Sequence, residues 1–587
     1  MGTPQHLEMS AAFLGVETSL TGRRWIGPGA EMARLSDALA QQAGVPMAVA
    51  QVLARRGVTP ETAPAFLAPA LRDLLPDPMR LKDMGAAADR VLAAVAAGER
   101  IAIFADYDVD GGASAALLID WLRQMGREAT LYIPDRIDEG YGPNDAAMAA
   151  LAQEHDLIIC VDCGTLSHGP IAAAAGADVI VLDHHLAAAD LPDCVAVVNP
   201  NRQDEPGDLG HLCAAAVVFL LLVEVNRRLK AEGAAGPDLM AMLDLVALAT
   251  VADVAPLTGV NRAFVRQGLK VMARRARPGL VALADVARLD RPPEAYHLGF
   301  VLGPRVNAGG RIGAADLGAR LLATDDPAEA QALAARLDTL NTDRREIEAA
   351  VRDAALAQVA GRDPGALAWA AGEGWHPGVV GIVASRLKEA MNRPAVVIGF
   401  DGDAGKGSGR SVPGVDLGAA IQRLAAEGLI EKGGGHRMAA GLSLNRAQLG
   451  PAMARLEALL AKQGAGAEGP VDLRIDGMVM APALTPDLVD ALAGAGPYGA
   501  AAPAPRFALP DLRIRDARIV GSGHLKLRLS DGSATVEAIA FEADRRGLAE
   551  ALMGQVGQRI HVAGKLDLNR WNGRESVQLV LDDAAWA

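Results

Sequence analysis

Aromatic side chains are scarce: Phe, Trp and Tyr make up 3% of the 587 residues. Base-stacking platforms must therefore be few. Cysteine is rarer still, with four residues, Cys160, Cys163, Cys194 and Cys213. That is too few for a disulfide scaffold at this length. Cys160 and Cys163 form a C-x-x-C, but it ends an apolar strand and no second pair exists to complete a zinc site, so buried thiols are expected. Long apolar runs are missing as well. The longest, Leu212–Val223, falls short of the roughly 20 residues of a membrane helix. The opening MGTPQHLEMS has no basic segment leading into an apolar core, so no secretory signal and a cytoplasmic location are expected. Positive charge is in deficit, 57 Lys+Arg against 71 Asp+Glu for a net −14. This argues against a non-specific coat on nucleic acid but leaves room for a local groove.

What is present is a globular composition, 51% hydrophobic and 22% charged. At about 100–200 residues per domain the length predicts several domains. Residues 1–80 read as an Ala/Pro-rich helical region. From about 85 the pattern alternates. Strands are expected at Ile101–Ala105, Thr130–Ile133, Leu157–Val161, Val179–Leu182 and Val195–Val198. Helices are expected over Ala86–Ala97, Ser114–Met125, Asn144–Gln153 and Pro170–Ala175. That alternation predicts a parallel, doubly wound sheet within a first α/β domain spanning 81–316. Residues 317–360 read as one long connecting helix, 361–465 as a second α/β domain, and 466–587 as a third. In that last domain five short strands suggest a barrel of the OB type. The fold class is thus α/β, with two α/β domains joined by a long helix and followed by a β-barrel.

The chemistry concentrates in IAIFADYDVDGGASAALL (101–118). An apolar strand runs into Asp106, Asp108 and Asp110, which alternation would place on one face. Three carboxylates so close repel one another unless a cation neutralises them. The strand end is also where open α/β sheets place their sites. Asp-x-Asp-x-Asp-Gly also opens an EF-hand loop. There position 12 should be Glu, whereas here it is Leu117, and the segment before it is a strand. Asp162 follows the strand in LIICVDCGT. Asp183, His184 and His185 follow another in VIVLDHH, and Asp253 lies in DLVALATVADVAPL. Alone, each of these is an ordinary cap or core residue. Together, the mixed carboxylate and imidazole set suits Mn²⁺ or Mg²⁺, in two ions rather than one. Such pairs serve in-line phosphoryl chemistry.

ADYDVDG, VDCGT, DHH and ATVADVAPL are similar to the successive motifs of the DHH phosphoesterase superfamily. Within it the chain resembles the bacterial single-strand-specific 5′→3′ DNA exonucleases, from about residue 60 onward. GPRVNAGGRIG (303–313), GWHPGVVGIVASRLKE (374–389), GKGSGRS (405–411) and GGGHRMAAG (433–441) extend the likeness. The resemblance implies that Asp106 and Asp108 with Asp162 hold one metal. Asp110, Asp162, His184 and Asp253 hold the other. Asp162, His184 and His185 then form the catalytic core, His185 contacts the scissile phosphate or the water, and Asp183 orients an imidazole. Two divalent ions lower the pKa of water enough that no side-chain base is needed.

The second α/β domain resembles the DHH-associated domain. It implies that Arg136, Ser408 and Arg410 bind a 5′-phosphate and that Tyr141 stacks near the terminal nucleotide. Arg305, Asn307 and Arg311 would line the same cleft, with His436 brought close by three glycines. The barrel implies single-strand binding through Arg513, Lys526, Arg528, Lys565 and Trp571. One departure is AAAPAP at 500–505, where the family carries a more polar Gly-Asn-Pro-Glu-Pro-like run. The implied partners are single-stranded DNA with a 5′ end, a RecQ-type helicase and a single-strand-binding protein, in DNA repair and recombination. Two alternatives remain at this point. One is a small-substrate phosphodiesterase or oligoribonuclease of the superfamily, which needs only the two α/β domains. The other is a catalytically inactive single-strand-binding relative, which has no need of so many crowded carboxylates.

Overall fold

The computed structural model describes residues 11–135, 139–362, 365–466, 471–521, 523–544, 546–571 and 574–587, without the side chains at 570, 571 and 574. The chain divides into two compact units. One comprises Pro76–Ala255 and Phe264–Glu468; the other comprises Met1–Leu75, Pro256–Ala263 and Gly469–Ala587.

In the first unit a five-stranded parallel sheet runs in the order Ala129–Tyr132, Ile101–Ala105, Leu157–Val161, Asp178–Leu182, Ala196–Val198. Ile101–Ala105 and Leu157–Val161 are buried throughout. Continuous apolar runs are what a parallel strand covered on both faces requires. Chain order reverses at Ile101–Ala105, which pairs with later strands on both sides. The crevice at that switch point is where such sheets bind ligands, and Asp106 and Asp162 leave the two strands flanking it.

The helix after Ile101–Ala105 starts at Val109 rather than near Ser114. Asp108 is its N-cap, taking the amides of Asp110 and Gly111, so the helix forms as soon as the cap is in place. Residues 317–360 are not one helix but two, Leu317–Ala323 and Pro327–Ala360. Asp326 caps the second through the amide of Ala328 at 2.8 Å. Pro327 at its first position disfavours helix in the residue before it.

The second sheet of this unit has the order Lys432–His436, Ala439–Asn445, Ala404–Arg410, Ala395–Asp401, Ala368–Glu373. Only the last pair is parallel. Val396, Ile398, Leu417, Ile421, Leu442 and Leu456 fill its core.

The other unit is built on a barrel. Phe507–Val520, His524–Ser530, Thr535–Ala540, Arg574–Trp586 and Arg559–Trp571 follow in order, and Phe507–Val520 closes on Arg559–Trp571. The region 1–80 is not purely helical. Arg23–Ile26 is a strand lying parallel to Val471–Arg474. Trp25 is fully buried, and its indole donates to Asp583 at 2.9 Å. The loop carrying AAAPAP is held through main-chain carbonyls. Pro503 O accepts from Arg56 at 2.9 Å, Ala500 O accepts from the Leu257 amide at 2.9 Å, and Gly496 O accepts from Arg262 at 2.7 Å. Among the described residues no helix is long and apolar enough to cross a membrane.

A candidate metal centre

Asp106, Asp108 and Asp110 converge through a tight turn rather than along one strand face, since the strand ends at Ala105. Gly111 makes the turn possible: a Cβ there would lie 2.4 Å from the Asp106 carbonyl oxygen. Asp110, 1% exposed, accepts from the amides of Ala214 at 2.7 Å and Ala215 at 2.8 Å. Those amides open the 18-residue helix Ala214–Ala231, whose positive end favours a carboxylate. The amide of Val109 donates to Asn307 Oδ1 at 2.9 Å.

Asp162 sits just past its strand with φ at +60°, a left-handed conformation that costs a non-glycine residue energy and recurs at functional sites. Its Oδ1 is buried and accepts no hydrogen bond. His184 Nε2 approaches Asp162 Oδ1 at 3.3 Å, Asp110 Oδ2 at 3.7 Å and Asp253 Oδ2 at 3.9 Å.

Among the described residues, three sets each bring their ligand atoms within 4.8 Å of one another: Asp106, Asp108 and Asp162; Asp110, His184 and Asp253; and Asp162, His184 and His185. The first two are the two sets implied by the resemblance, except that Asp162 groups with the histidines rather than with Asp110 and Asp253. Asp162 and His184 each belong to more than one group, as a pair of adjacent cations would require. Burial pushes the Asp110 carboxyl upward against the pull of His184, with Asp108 adding to the rise, and burial followed by Asp110, Asp108 and Asp106 pushes up that of Asp162. Asp253 is pushed up to about 8 by burial, then by Asp110 and Asp108. So many carboxylates cannot all stay charged without a counterion. A buried, unbonded oxygen amid hard oxygen donors and imidazoles fits a divalent cation.

Asp183, 1% exposed, braces this cluster. It accepts from His185 Nδ1 at 2.8 Å, the His184 amide at 2.7 Å and Thr165 Oγ1 at 2.6 Å. Burial would lower the His185 pKa, but the bond to Asp183 and its charge prevail and hold it up at about 9. Tyr141 Oη donates to the Asp162 carbonyl at 3.0 Å and lies 3.1 Å from His185 Nε2. Its ring meets that of His185 edge-on at 5.7 Å.

Sequence reasoning missed several supports. Asn199 donates to Thr165 Oγ1 at 2.9 Å and to the His185 carbonyl at 2.8 Å, and Asn201 donates to the His184 carbonyl at 2.5 Å. The run Val198-Asn199-Pro200-Asn201 directly after a buried strand was the available signal.

The remaining expected residues scatter in their tasks. Arg305 pairs with Asp338 at 2.8 Å and donates to the Val301 carbonyl. Asn307 holds the Val109 amide. Arg311 donates to the carbonyl of Gly378 at 3.1 Å, tying the first sheet's domain to the helix Pro377–Met391. Arg410 donates to Ser408 Oγ at 2.9 Å. A Cβ on Gly381 of that helix would lie 3.1 Å from both side chains, so Ser408 and Arg410 stand beside its opening turns. His436 is exposed and accepts from the Met438 amide at 3.3 Å. Arg136 lies outside the described residues, as does the side chain of Trp571. On the barrel, Arg513 is exposed and Lys565 half-buried. Lys526 and Arg528 both pair with Glu537, at 3.3 and 3.0 Å, so that face is mixed in charge rather than uniformly basic.

Fold and site define a DHH-type phosphoesterase built to hold Mn²⁺ or Mg²⁺. Family models agree: the DHH family N-terminal domain matches residues 100–250, the DHHA1 domain 362–462 and the RecJ OB domain 475–583. The single-stranded-DNA-specific exonuclease RecJ of Dickeya dadantii is 39% identical over 83% of this chain and 88% of its own. That of Escherichia coli is 38% identical over 83% and 87%. The crystal structure of Thermus thermophilus RecJ with Mn²⁺ superposes with a TM-score of 0.79 at 31% identity, covering 95% of this chain and 79% of that one. A structure of the same protein has also been solved with Mg²⁺. The chain belongs to the RecJ family.

Proposed function

We propose that this protein hydrolyses single-stranded DNA from the 5′ end to 5′-mononucleotides. The observation that carries the reading is the convergence of Asp106, Asp108, Asp110, Asp162, His184 and Asp253 at the switch point of the sheet, in overlapping ligand groups that share Asp162 and His184. Those six residues hold the metals, which when bound supply Lewis acidity toward the phosphate and make water acidic enough to attack near neutral pH. Asp183 fixes the His185 ring through Nδ1, leaving the Nε2 edge, shared with Tyr141 Oη, for the scissile phosphate. Ser408 and Arg410, with Arg136, receive the 5′-phosphate. The fork of an arginine suits phosphate oxygens, and the nearby turns of Pro377–Met391 add amide dipoles. An anchored 5′ end at fixed reach from the cluster makes each cut release one nucleotide. Domains of 81–316 and 361–465, linked through 317–360, form the nuclease in this reading, with 1–80 and the barrel of 466–587 handling the strand.

The same reading places the work in the cytoplasm, in repair and recombination, with a RecQ-type helicase and a single-strand-binding protein as partners. The deciding experiment compares 5′- and 3′-labelled single strands, a duplex and an RNA strand on one gel, with Mn²⁺ or Mg²⁺ present. Stepwise loss from the 5′ end of the DNA single strand is expected. Loss starting at the 3′ end, or equal cutting of RNA, would overturn the reading.

A further inference from the structure

In a chain with so few aromatics, two stand exposed together. Tyr296 is 62% and Phe300 70% exposed, and their rings stack at 5.0 Å with planes 24° apart. They lie one turn apart along a short helix, Ala295–His297, that widens into a π-helical turn, Leu298–Leu302. Such wide turns are rare and cluster at functional sites. The turn packs against the helix that leads to Asp253. A Cβ on Gly299 would lie 3.3 Å from a methyl of Val251, and one on Gly303 would lie 3.2 Å from the Ala252 Cβ. Val251 and Ala252 end the helix Leu243–Ala252, whose C-cap is the ligand Asp253. Val254, next in sequence, is 70% exposed. The next helix, Gly303–Ile312, carries Asn307.

We propose that Tyr296 and Phe300 form a stacking step for nucleobases of the single strand, taking the bases that follow the terminal nucleotide. Neither ring is needed by the core, since both leave most of their surface in water. Flat rings with open faces accept any base, which suits an enzyme that reads no sequence. The occupant is taken to be a base because the turn that carries the rings packs, through Gly299 and Gly303, on the helix that ends at Asp253. The inference rests on the proposed nuclease function, and its test separates the two.

Strands carrying abasic units at the second to fourth positions from the 5′ end are compared with intact strands, using the full chain and Tyr296→Ala/Phe300→Ala. With the unaltered protein, removing the bases should raise KM about tenfold. The double variant should show a KM raised by a similar factor on the intact strand, and the difference between the strands should vanish. Tyr296→Phe/Phe300→Tyr keeps both rings and should restore the difference. Matching circular dichroism and melting curves guard against misfolding. If the unaltered protein cuts no single strand, the nuclease reading fails. If it cuts, and the double variant keeps the low KM and the abasic difference, the stacking step is overturned and the pair is left as a contact for another protein.

Discussion

Asn307→Ala tests whether the metal centre is held together from outside its ligands. The carboxamide oxygen accepts the amide of Val109 at 2.9 Å, and Val109 is 1% exposed. Val109 opens the helix that presents Asp110 and follows the capping Asp108. Alanine removes the acceptor and strands a donor that water reaches poorly. A buried group deprived of its partner costs about 1–3 kcal/mol. The loss falls on the turn whose geometry aims two ligands, and disturbing such supports typically weakens metal binding by about 10–100-fold.

The expected outcome is therefore double. In chelator, where bound metal does not mask the effect, the variant should melt several degrees lower, at about 2–4 °C per kcal/mol. In Mn²⁺ titrations of exonuclease activity, half-saturation should move up about tenfold or more, while KM for DNA at saturating Mn²⁺ changes little. Asn307→Asp keeps an acceptor and should lose less stability than alanine. A variant with unaltered melting and Mn²⁺ dependence but a raised KM would refute the reasoning. It would show that the carboxamide faces the substrate instead.

Other consequences follow from the same contacts. Asp162→Asn should abolish exonuclease activity, by at least about 10²-fold in kcat, yet melt no lower than the unaltered protein in chelator. A lower melting point would contradict the strained, unbonded environment seen for this side chain. Arg410→Ala should raise KM for a 5′-phosphorylated strand about tenfold and leave a 5′-hydroxyl strand nearly unaffected, and equal effects on both would remove Arg410 from the phosphate pocket. Asp244→Ala removes a carboxylate 2.9 Å from Arg277, whose side chain is 11% exposed. Breaking a buried pair costs about 3–5 kcal/mol, lessened here by Asp120 at 3.2 Å. Urea unfolding should report a loss on the order of 2–4 kcal/mol, and a loss below about 1 kcal/mol would mean water already screens the pair.

The sheet of the catalytic domain was legible because a fully covered parallel strand leaves a plain mark, an unbroken apolar run. Its boundaries came within a residue or two for Ile101–Ala105, Leu157–Val161 and Asp178–Leu182. The helix start at Val109 was hidden because Gly111 and Gly112 argue locally against helix. Gly111 is needed because the chain doubles back on Asp106, where no Cβ fits, while Gly112 lies against Ala319. Arg23–Ile26 was invisible for a different reason. A four-residue strand has no periodicity to speak of, and its partner lies at the far end of the chain. The pairing of Lys526 and Arg528 with Glu537 was equally out of reach. It depends on register: Arg528 stands opposite Glu537 across two strands, and side chains so paired interact directly.

At the site, the proposed ligands were legible as candidates because their chemistry is conspicuous, whereas their supports were not, because a Thr or an Asn is ordinary anywhere. Asp162 shows why the two differ. It breaks several local rules together: a left-handed backbone, near-complete burial and an oxygen that accepts no hydrogen bond. Each carries a cost of its own, and backbone strain alone amounts to about 1–3 kcal/mol. A residue kept for stability would not combine them, and local rules are broken where function requires it. A cation removes two of these costs together, by neutralising the carboxylate and by occupying its free oxygen. Thr165, Asn199 and Asn201 break no such rule. They satisfy ordinary hydrogen bonds, and only the positions of Asp183, His184 and His185 give them meaning. The net −14 is therefore a poor guide to the charge a DNA strand meets, because part of that acidity is built to be cancelled where it stands.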